Sequence, residues 1–362
     1  AILDSLTEDH FNTLHEDGRL YQNYLRPVIT RFLLRMQSLL PLERAYFHAF
    51  ARFIAREQHA SKLQFAQVWR TPLSAQEAEG MAVSNLRLRP IKDMEGSIVE
   101  LRAETDRDLS AINFRRGDSV MLFEALSSSF PATEPQSQSI ASQVFRCQIV
   151  GIGQHNLHLA LAYKQRSERA FHLDRTYAIA PSYMESTFLH AYRGLTAIVT
   201  APSERRELLL GTRQPVDNEY FLLVGPPGTG KTNVHLRSMV RRFLDEGQTL
   251  LVMAYTNQAV DEICSVLQDE CPTLYARIGN ENSCAAPYRQ RMMPNLAVEA
   301  RNRREMMAVL DPLLVICGTI ASIAGHDEIF RLKRFDTTIV DEASQVLEPQ
   351  ILPILCRVGR FV

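Results

Sequence analysis

The chain has 362 residues and a formal net charge of −1, from 40 Lys+Arg against 41 Asp+Glu, with 46% hydrophobic and 22% charged residues. That length predicts two to three domains of about 100–200 residues each, and the composition excludes a disordered, collagen-like or coiled-coil chain. No run of about 18 apolar residues exists, which excludes a spanning helix. The start, AILDSLTEDHF, carries neither a basic n-region nor an apolar h-region, so no signal peptide is expected. The first residue is Ala rather than Met, and the chain reads as a piece of something longer. A neutral balance argues against a chain coated in basic charge, yet leaves room for a local basic groove. Only five of the 40 basic residues are Lys. Arg suits phosphate recognition through its planar fork, and the same bias also follows from genome composition. The six cysteines are Cys147, Cys264, Cys271, Cys284, Cys317 and Cys356. They form no CxxC pair, so reduced thiols in a cytosolic-type compartment are expected. Cys264, Cys271 and Cys284 are the alternative metal-ligand trio, at irregular spacing.

In chain order, residues 1–79 read as a helical N-terminal region. Val28, Phe32, Met36 and Leu39 recur at helical spacing, as do Phe47, Phe50, Phe53 and Ile54. Pro41 falls between the two runs and predicts a break. Residues 80–165 change to β-prone runs: SIVELRAE, SVMLFEA, CQIVGI and NLHLALAY. Leu157, Leu159 and Leu161 share one strand face, and Arg115-Arg116-Gly117-Asp118 makes a turn before a strand at 119–125. SSSFPATEPQSQS (127–139) reads as an exposed loop. Together these runs predict a small antiparallel β-barrel. Such barrels bind single strands or serve as spacers. Residues 166–215 read as helices, with apolar positions at Tyr183, Phe188, Leu189 and Tyr192. From 216 to 362 short apolar runs, YFLLV, TLLVMAY, LLVIC and TTIVDEA, alternate with helical stretches. That alternation predicts an α/β domain with a parallel sheet.

The stretch Gly225-Pro226-Pro227-Gly228-Thr229-Gly230-Lys231-Thr232 matches GxxxxGK[ST]. It follows the apolar run 220–224 and precedes a helical stretch at 233–244, the context a P-loop needs. Glycines let backbone N–H groups curl around phosphate oxygens, and the next helix points its positive end at them. Lys231 is placed to reach the β- and γ-phosphates of ATP, and Thr232 to set its hydroxyl on Mg²⁺. A second piece, Thr337-Thr338-Ile339-Val340-Asp341-Glu342, is a β-branched run ending in two acids. Asp341 suits the Mg²⁺ shell. Glu342 suits a base for the attacking water, so Lys231, Asp341 and Glu342 form the candidate catalytic set.

Further stretches carry a family resemblance. DEASQ (341–345) resembles motif II of superfamily 1 helicases, and the spelling GPPGTGKT suits the same group. Tyr255-Thr256-Asn257-Gln258-Ala259-Val260-Asp261 resembles motif Ia of the 1B branch, which holds the nonsense-mediated-decay helicase and the Okazaki-fragment nuclease-helicase. Val315-Ile316-Cys317-Gly318-Thr319 resembles the motif that follows. The resemblance implies a RecA-like P-loop domain at 216–362, truncated at its end, with a 1B-like barrel at 80–165 and stalk helices at 166–215. Residues 1–79 are not covered, and no nuclease pattern is found there. The resemblance also implies ATP and Mg²⁺ as cofactors and single-stranded DNA or RNA as partner, with no membrane. Movement would run 5′→3′, with Thr256, Asn257 and Thr319 at the strand-binding groove. Helix capping is the other role open to Thr256, Asn257 and Thr319.

Two departures stand out. The adenine-reading Gln of relatives has no matching segment here, Gln214 being the nearest candidate. The downstream second RecA-like domain, which supplies an arginine finger, is expected beyond Val362, so this chain alone is expected to bind nucleotide and hydrolyse it poorly. Residues 277–334 hold nine basic and six acidic residues, and Arg301, Arg303 and Arg304 form either a solvated helix face or a wall of the groove. The leading expectation is an intracellular ATP-dependent helicase or translocase. The alternatives are a nucleic-acid-independent P-loop ATPase that remodels a protein partner, and an assembly module whose nucleotide site only stabilises the fold.

Overall fold

The computed structural model describes residues 23, 25–93, 95–125, 143–168, 171, 174–182, 186–216, 219–225 and 230–362, and of Ser186, Lys231 and Thr232 the backbone. The expected structure at 1–22, the loop at 127–139, Tyr183 and the P-loop residues 226–229 lie outside these residues. The chain divides into two compact units, one of 1–54, 187–278 and 296–362, the other of 55–186 and 279–295.

Three helices open the described chain: α1 (Arg26–Ser38), α2 (Pro41–Arg70) and α3 (Leu73–Ala78). The break falls at Pro41, which opens α2; proline is best tolerated in the first turn of a helix, where its missing N–H has no intrahelical acceptor to lose. Met36, Leu39, Phe47 and Ile54 are buried, whereas Val28 is 64% exposed and Phe53 40% exposed.

In the second unit, six antiparallel strands follow: β1 (Val83–Lys92), β2 (Ile98–Glu104), β3 (Ser119–Glu124), β4 (Phe145–Ile152), β5 (Asn156–Gln165) and β6 (Tyr177–Pro181). They close into a barrel in the order β1-β2-β5-β4-β3-β6. Alternation explains the closure. Leu86 and Leu88, Leu101 and Ala103, Val120 and Leu122, Leu157 and Leu159 all enter one buried core, because successive strand side chains face opposite ways. The turn before β3 forms as expected, with Gly117 at φ 97° and the Arg115 N–H donating to Asp118 Oδ2 at 2.7 Å. The strand β6 falls where helix is expected. It supplies the sixth stave, pairing with both β3 and β1, so barrel closure outweighs local pattern.

The first unit continues with α4 (Ser186–Thr200) and α5 (Ser203–Leu209). Ala191, Leu195, Ile198 and Val199 of α4 pack on Met36, Leu39, Phe47 and Ile54. Glu43 joins the same layer. Its Oε2 accepts from the Leu40 N–H at 2.8 Å and its Oε1 from Arg206 Nε at 2.7 Å, with both side chains close to fully buried. Glu43→Ala strands a buried guanidinium, and chemical denaturation is expected to show a loss of about 3–5 kcal/mol.

Past 230, a π-helical turn at Lys231–Leu236 runs into α6 (Arg237–Asp245). Then come β7 (Leu250–Ala254), α7 (Asn257–Glu270), β8 (Tyr275–Ile278), α8 (Met293–Leu296), α9 (Arg303–Leu310), β9 (Val315–Thr319), α10 (Ile320–Gly325), α11 (Ile329–Leu332), β10 (Thr337–Val340), α12 (Glu348–Leu355) and β11 (Arg360–Phe361). The sheet runs β11-β10-β7-β9-β8, all parallel. All of β7 and residues 315–317 of β9 are fully buried, as expected of strands covered on both faces.

The run Tyr220–Val224 differs from expectation. It makes a single parallel bridge, Tyr220 to Phe361, and Leu222 and Val224 are 69% and 81% exposed. Its neighbour β11 offers only two residues, so the ladder stops after one rung. The approach to this run is held by Arg213, which grips both oxygens of Glu219 at 2.7 and 2.9 Å. That guanidinium, with the Val216 N–H, pulls the Glu219 carboxyl down to about 2.

Gly194 lets α4 approach α12. A Cβ there would overlap the Pro349 carbonyl oxygen. Gly194→Ala is therefore expected to lower stability by about 1–3 kcal/mol in a melt, despite the gain in helix propensity.

Candidate functional site

Parallel register brings three strand ends to one edge. Met253 of β7 pairs with Val340 of β10 and Gly318 of β9, and Ala254 pairs with Thr319. The residues that follow, Thr256-Asn257 after β7 and Asp341-Glu342 after β10, therefore leave the sheet along the same carboxyl edge as Thr319. In open α/β sheets ligands bind outside this edge.

The P-loop stretch meets the same edge. Gly230 takes φ 77°, and its carbonyl accepts from the Val234 N–H at 2.7 Å as the π-helical turn begins. A Cβ at 230 would press on Val234 Cγ2 at 3.0 Å, and the left-handed backbone already favours glycine. Lys231 and Thr232 open the helix, so their backbone N–H groups lie in the first turn, where donors lack intrahelical acceptors. A cleft of about 280 Å³ has Val224 and Gly225 on one wall and Asp341, Glu342, Ala343 and Ser344 on another. The geometry thus brings the first P-loop glycine and the two acids to one cavity. Its remaining lining is apolar, with Leu236, Met239 and Ile339.

Backbone contacts hold the acids. The Asp341 N–H donates to the Met253 carbonyl at 2.8 Å, and Asp341 Oδ1 accepts from the Glu342 N–H at 3.0 Å. Glu342 sits at φ 54°, a left-handed conformation that costs a non-glycine residue about 1–3 kcal/mol. The Asp341 carboxylate at the sheet edge, in one cleft with the P-loop's Gly225, offers hard oxygen donors of the kind a magnesium-bound nucleoside triphosphate takes.

The other candidates divide. Thr256 caps α7, its Oγ1 accepting from the Ala259 N–H at 3.2 Å. Thr319 caps α10, accepting from the Ser322 N–H at 3.1 Å and donating to Ser322 Oγ at 2.8 Å, and it is 7% exposed. Asn257 is exposed at the start of α7. Gln214 is exposed, and its carbonyl accepts from Arg213 Nη1 at 3.0 Å. Arg301, Arg303 and Arg304 are exposed around the start of α9, where Asn302 Oδ1 caps the helix by accepting from the Glu305 N–H at 3.1 Å and Asn302 Nδ2 donates to Glu305 Oε1 at 2.6 Å.

Sequence reasoning missed one residue. Arg277, counted there among the basic residues of an open segment, is fully buried in β8. It pairs with Asp261 and donates to Asn257 Oδ1 at 3.3 Å. The signal lay in LYARIG, where a charged residue interrupts an otherwise apolar strand. Nearby, Cys264 and Cys317 lie with sulfurs 3.7 Å apart. The hydrogen bond from Cys317, helped by the Arg277 charge, holds the Cys264 thiol below its ordinary value against the effect of burial. Among the described residues no cluster of three or more His, Cys, Asp or Glu is arranged to hold a metal ion, and no helix is long and apolar enough to cross a membrane.

A parallel sheet with a glycine-led helix and a strand-end acid pair defines a RecA-like P-loop domain, accompanied by a six-stranded barrel. The AAA domain family matches residues 203–296 and 288–362. The "DNA replication ATP-dependent helicase/nuclease DNA2" of Bos taurus is 23% identical over 359 residues, covering 90% of this chain and 33% of the relative. The protein of that name from Saccharomyces cerevisiae is 30% identical over 167 residues, or 44% of this chain and 11% of its own length. The Homo sapiens protein is 29% identical over 185 residues, 50% of this chain and 17% of its own. These matches support a relationship of the chain to the superfamily 1B helicases. It spans a third or less of the length of these relatives.

Proposed function

We propose that the chain binds ATP with Mg²⁺ at the cleft between the P-loop and the β10 edge, as part of a longer helicase that couples ATP hydrolysis to movement along a single-stranded nucleic acid. The observation that carries this reading is the shared cleft, which has Gly225 on one wall and Asp341 and Glu342 on another. When bound, Mg-ATP supplies the phosphoanhydride bond whose cleavage drives the cycle. The backbone N–H groups of Gly225 and of 228–232, with the Lys231 ammonium, would hold the phosphate oxygens. Pro226, Pro227, Gly228 and Thr229 complete that loop. The Thr232 hydroxyl and the Asp341 carboxylate hold the metal. Glu342 orients the attacking water and takes its proton.

Thr256, Asn257 and Thr319, on the carboxyl edge, are read as the strand-facing positions, with phosphate contacts carrying most of the affinity. Curated relatives named for DNA replication favour DNA over RNA as the strand, and an intracellular setting follows from that substrate. The reading takes β1 to β6 as a 1B-like barrel, α4 and α5 as the stalk and 216–362 as the motor domain, with 5′→3′ polarity. ATP turnover by the full-length protein, measured with and without single-stranded DNA, and separately RNA, tests it. Strong stimulation by DNA is expected. Stimulation by RNA alone reassigns the strand, and turnover indifferent to both favours an ATPase that remodels a protein partner.

A further inference from the structure

We propose that Arg277 is a positioning residue: it locks the carboxamide of Asn257 so that its NH₂ group is turned outward to donate to a backbone phosphate oxygen of a bound single strand. The proposal rests on the strand-binding reading above.

The geometry begins with helix periodicity. Asn257, Asp261 and Cys264 stand at i, i+4 and i+7 of α7 and so share one face. That face lies against β8 and β9: Arg277 of β8 bonds the first two residues, and Cys317 of β9 meets the third. Arg277 is 1% exposed, so its fork is held rigidly by the surrounding core. Its Nη1 pairs with Asp261 and its Nη2 donates to Asn257 Oδ1 at 3.3 Å.

A guanidinium has five donors and no acceptor, and it stays charged at any working pH. Only the oxygen of a carboxamide can face it. The flipped amide would set NH₂ against N–H, an unmet donor pair beside a buried charge. The orientation of Asn257 is thereby decided by chemistry rather than by the ambiguity that usually attends amide assignment. With Oδ1 committed inward, both Nδ2 hydrogens are left for the exposed side, at the carboxyl edge of β7. An ordinary surface Asn would rotate freely and lose side-chain entropy on binding, whereas a locked one does not.

The experiment measures affinity of the chain for a fluorescent oligodeoxythymidine by anisotropy, with a thermal melt of each variant. Asn257→Asp keeps an oxygen on Arg277 and replaces the outward donor with a carboxylate oxygen. It is expected to weaken binding at least about tenfold while leaving the melting temperature unchanged or raised, because an acid suits the first helical turn. Arg277→Lys keeps a cation for Asp261 but cannot fork to both partners. It is expected to weaken binding about threefold with Asn257 in place, and to have no further effect in the Asn257→Ala background.

Binding by Asn257→Asp equal to that of the unsubstituted chain overturns the proposal. So does an Arg277→Lys effect that persists undiminished in the Asn257→Ala background, since that effect would come from the fold alone. If Arg277→Lys fails to fold, Asn257→Asp carries the test by itself. No binding by the unsubstituted chain is a different failure: it removes the strand-binding reading itself, and the role of Arg277 with it.

Discussion

Replacing Lys231 with Ala is expected to remove most of the nucleotide affinity of this chain. The ammonium is the one side-chain cation that the P-loop pattern places over the phosphates, and a hydrogen bond to a charged group is worth about 1.5–3 kcal/mol. That converts to roughly a 10- to 100-fold rise in Kd for ATP, measurable by calorimetry. Turnover is expected to fall further, because charge on the transferring phosphate grows towards the transition state. The fold is expected to persist. The turn that carries Lys231 is set by Gly230, whose φ of 77° and carbonyl bond to the Val234 N–H are backbone properties. An unchanged Kd with an intact melt would move the nucleotide away from this loop and undo the assignment of Lys231. Lys231→Arg is a useful companion. It keeps the charge but enlarges and flattens the donor, so partial recovery would mark a requirement for charge, and none a requirement for a compact ammonium.

Much of this site was legible in the residues. A P-loop and a strand-end acid pair are short, local and chemically demanding, so their letters point to position and to the role proposed for each. The barrel was legible for another reason: alternation such as Leu157-His158-Leu159 has a period of two, which only a half-buried strand uses. What stayed hidden was decided by partners distant in the chain. Tyr177–Pro181 is a short apolar run that local pattern cannot tell from a helix segment, and it becomes a strand because β3 and β1 both present open edges to it. Tyr220–Val224 reads as a full strand, yet its pairing depends on a neighbour of two residues. Arg277 looked like surface charge because burial of a cation depends on Asp261, sixteen positions earlier. The hydroxyl of Thr319 was open to two roles. In the structure it is engaged in capping α10, an outcome that turns on a rotamer rather than on composition.

Glu342→Gln is expected to separate nucleotide binding from hydrolysis. Gln keeps the size of the side chain and its ability to sit at φ 54°, but it takes no proton from water. General-base assistance is worth about 10²–10⁴ in rate, so turnover by the full-length protein is expected to drop by that factor while the Kd for ATP stays within about threefold. The backbone conformation at 342 adds a second, independent readout. A left-handed glutamate carries about 1–3 kcal/mol of strain, of which glycine would return part against its own entropy cost of about 0.5–1 kcal/mol. Glu342→Gly is therefore expected to raise stability by about 1 kcal/mol and to be as slow as Glu342→Gln. Such a gain in stability with a loss of turnover is the mark of strain retained for function rather than for folding. If Glu342→Gln instead turns over at the unsubstituted rate, Glu342 is not the base. If Glu342→Gly is no more stable than the unsubstituted chain, the turn after β10 is held at no cost. Its conformation then follows from the Asp341 Oδ1 bond to the Glu342 N–H rather than from a demand of the chemistry.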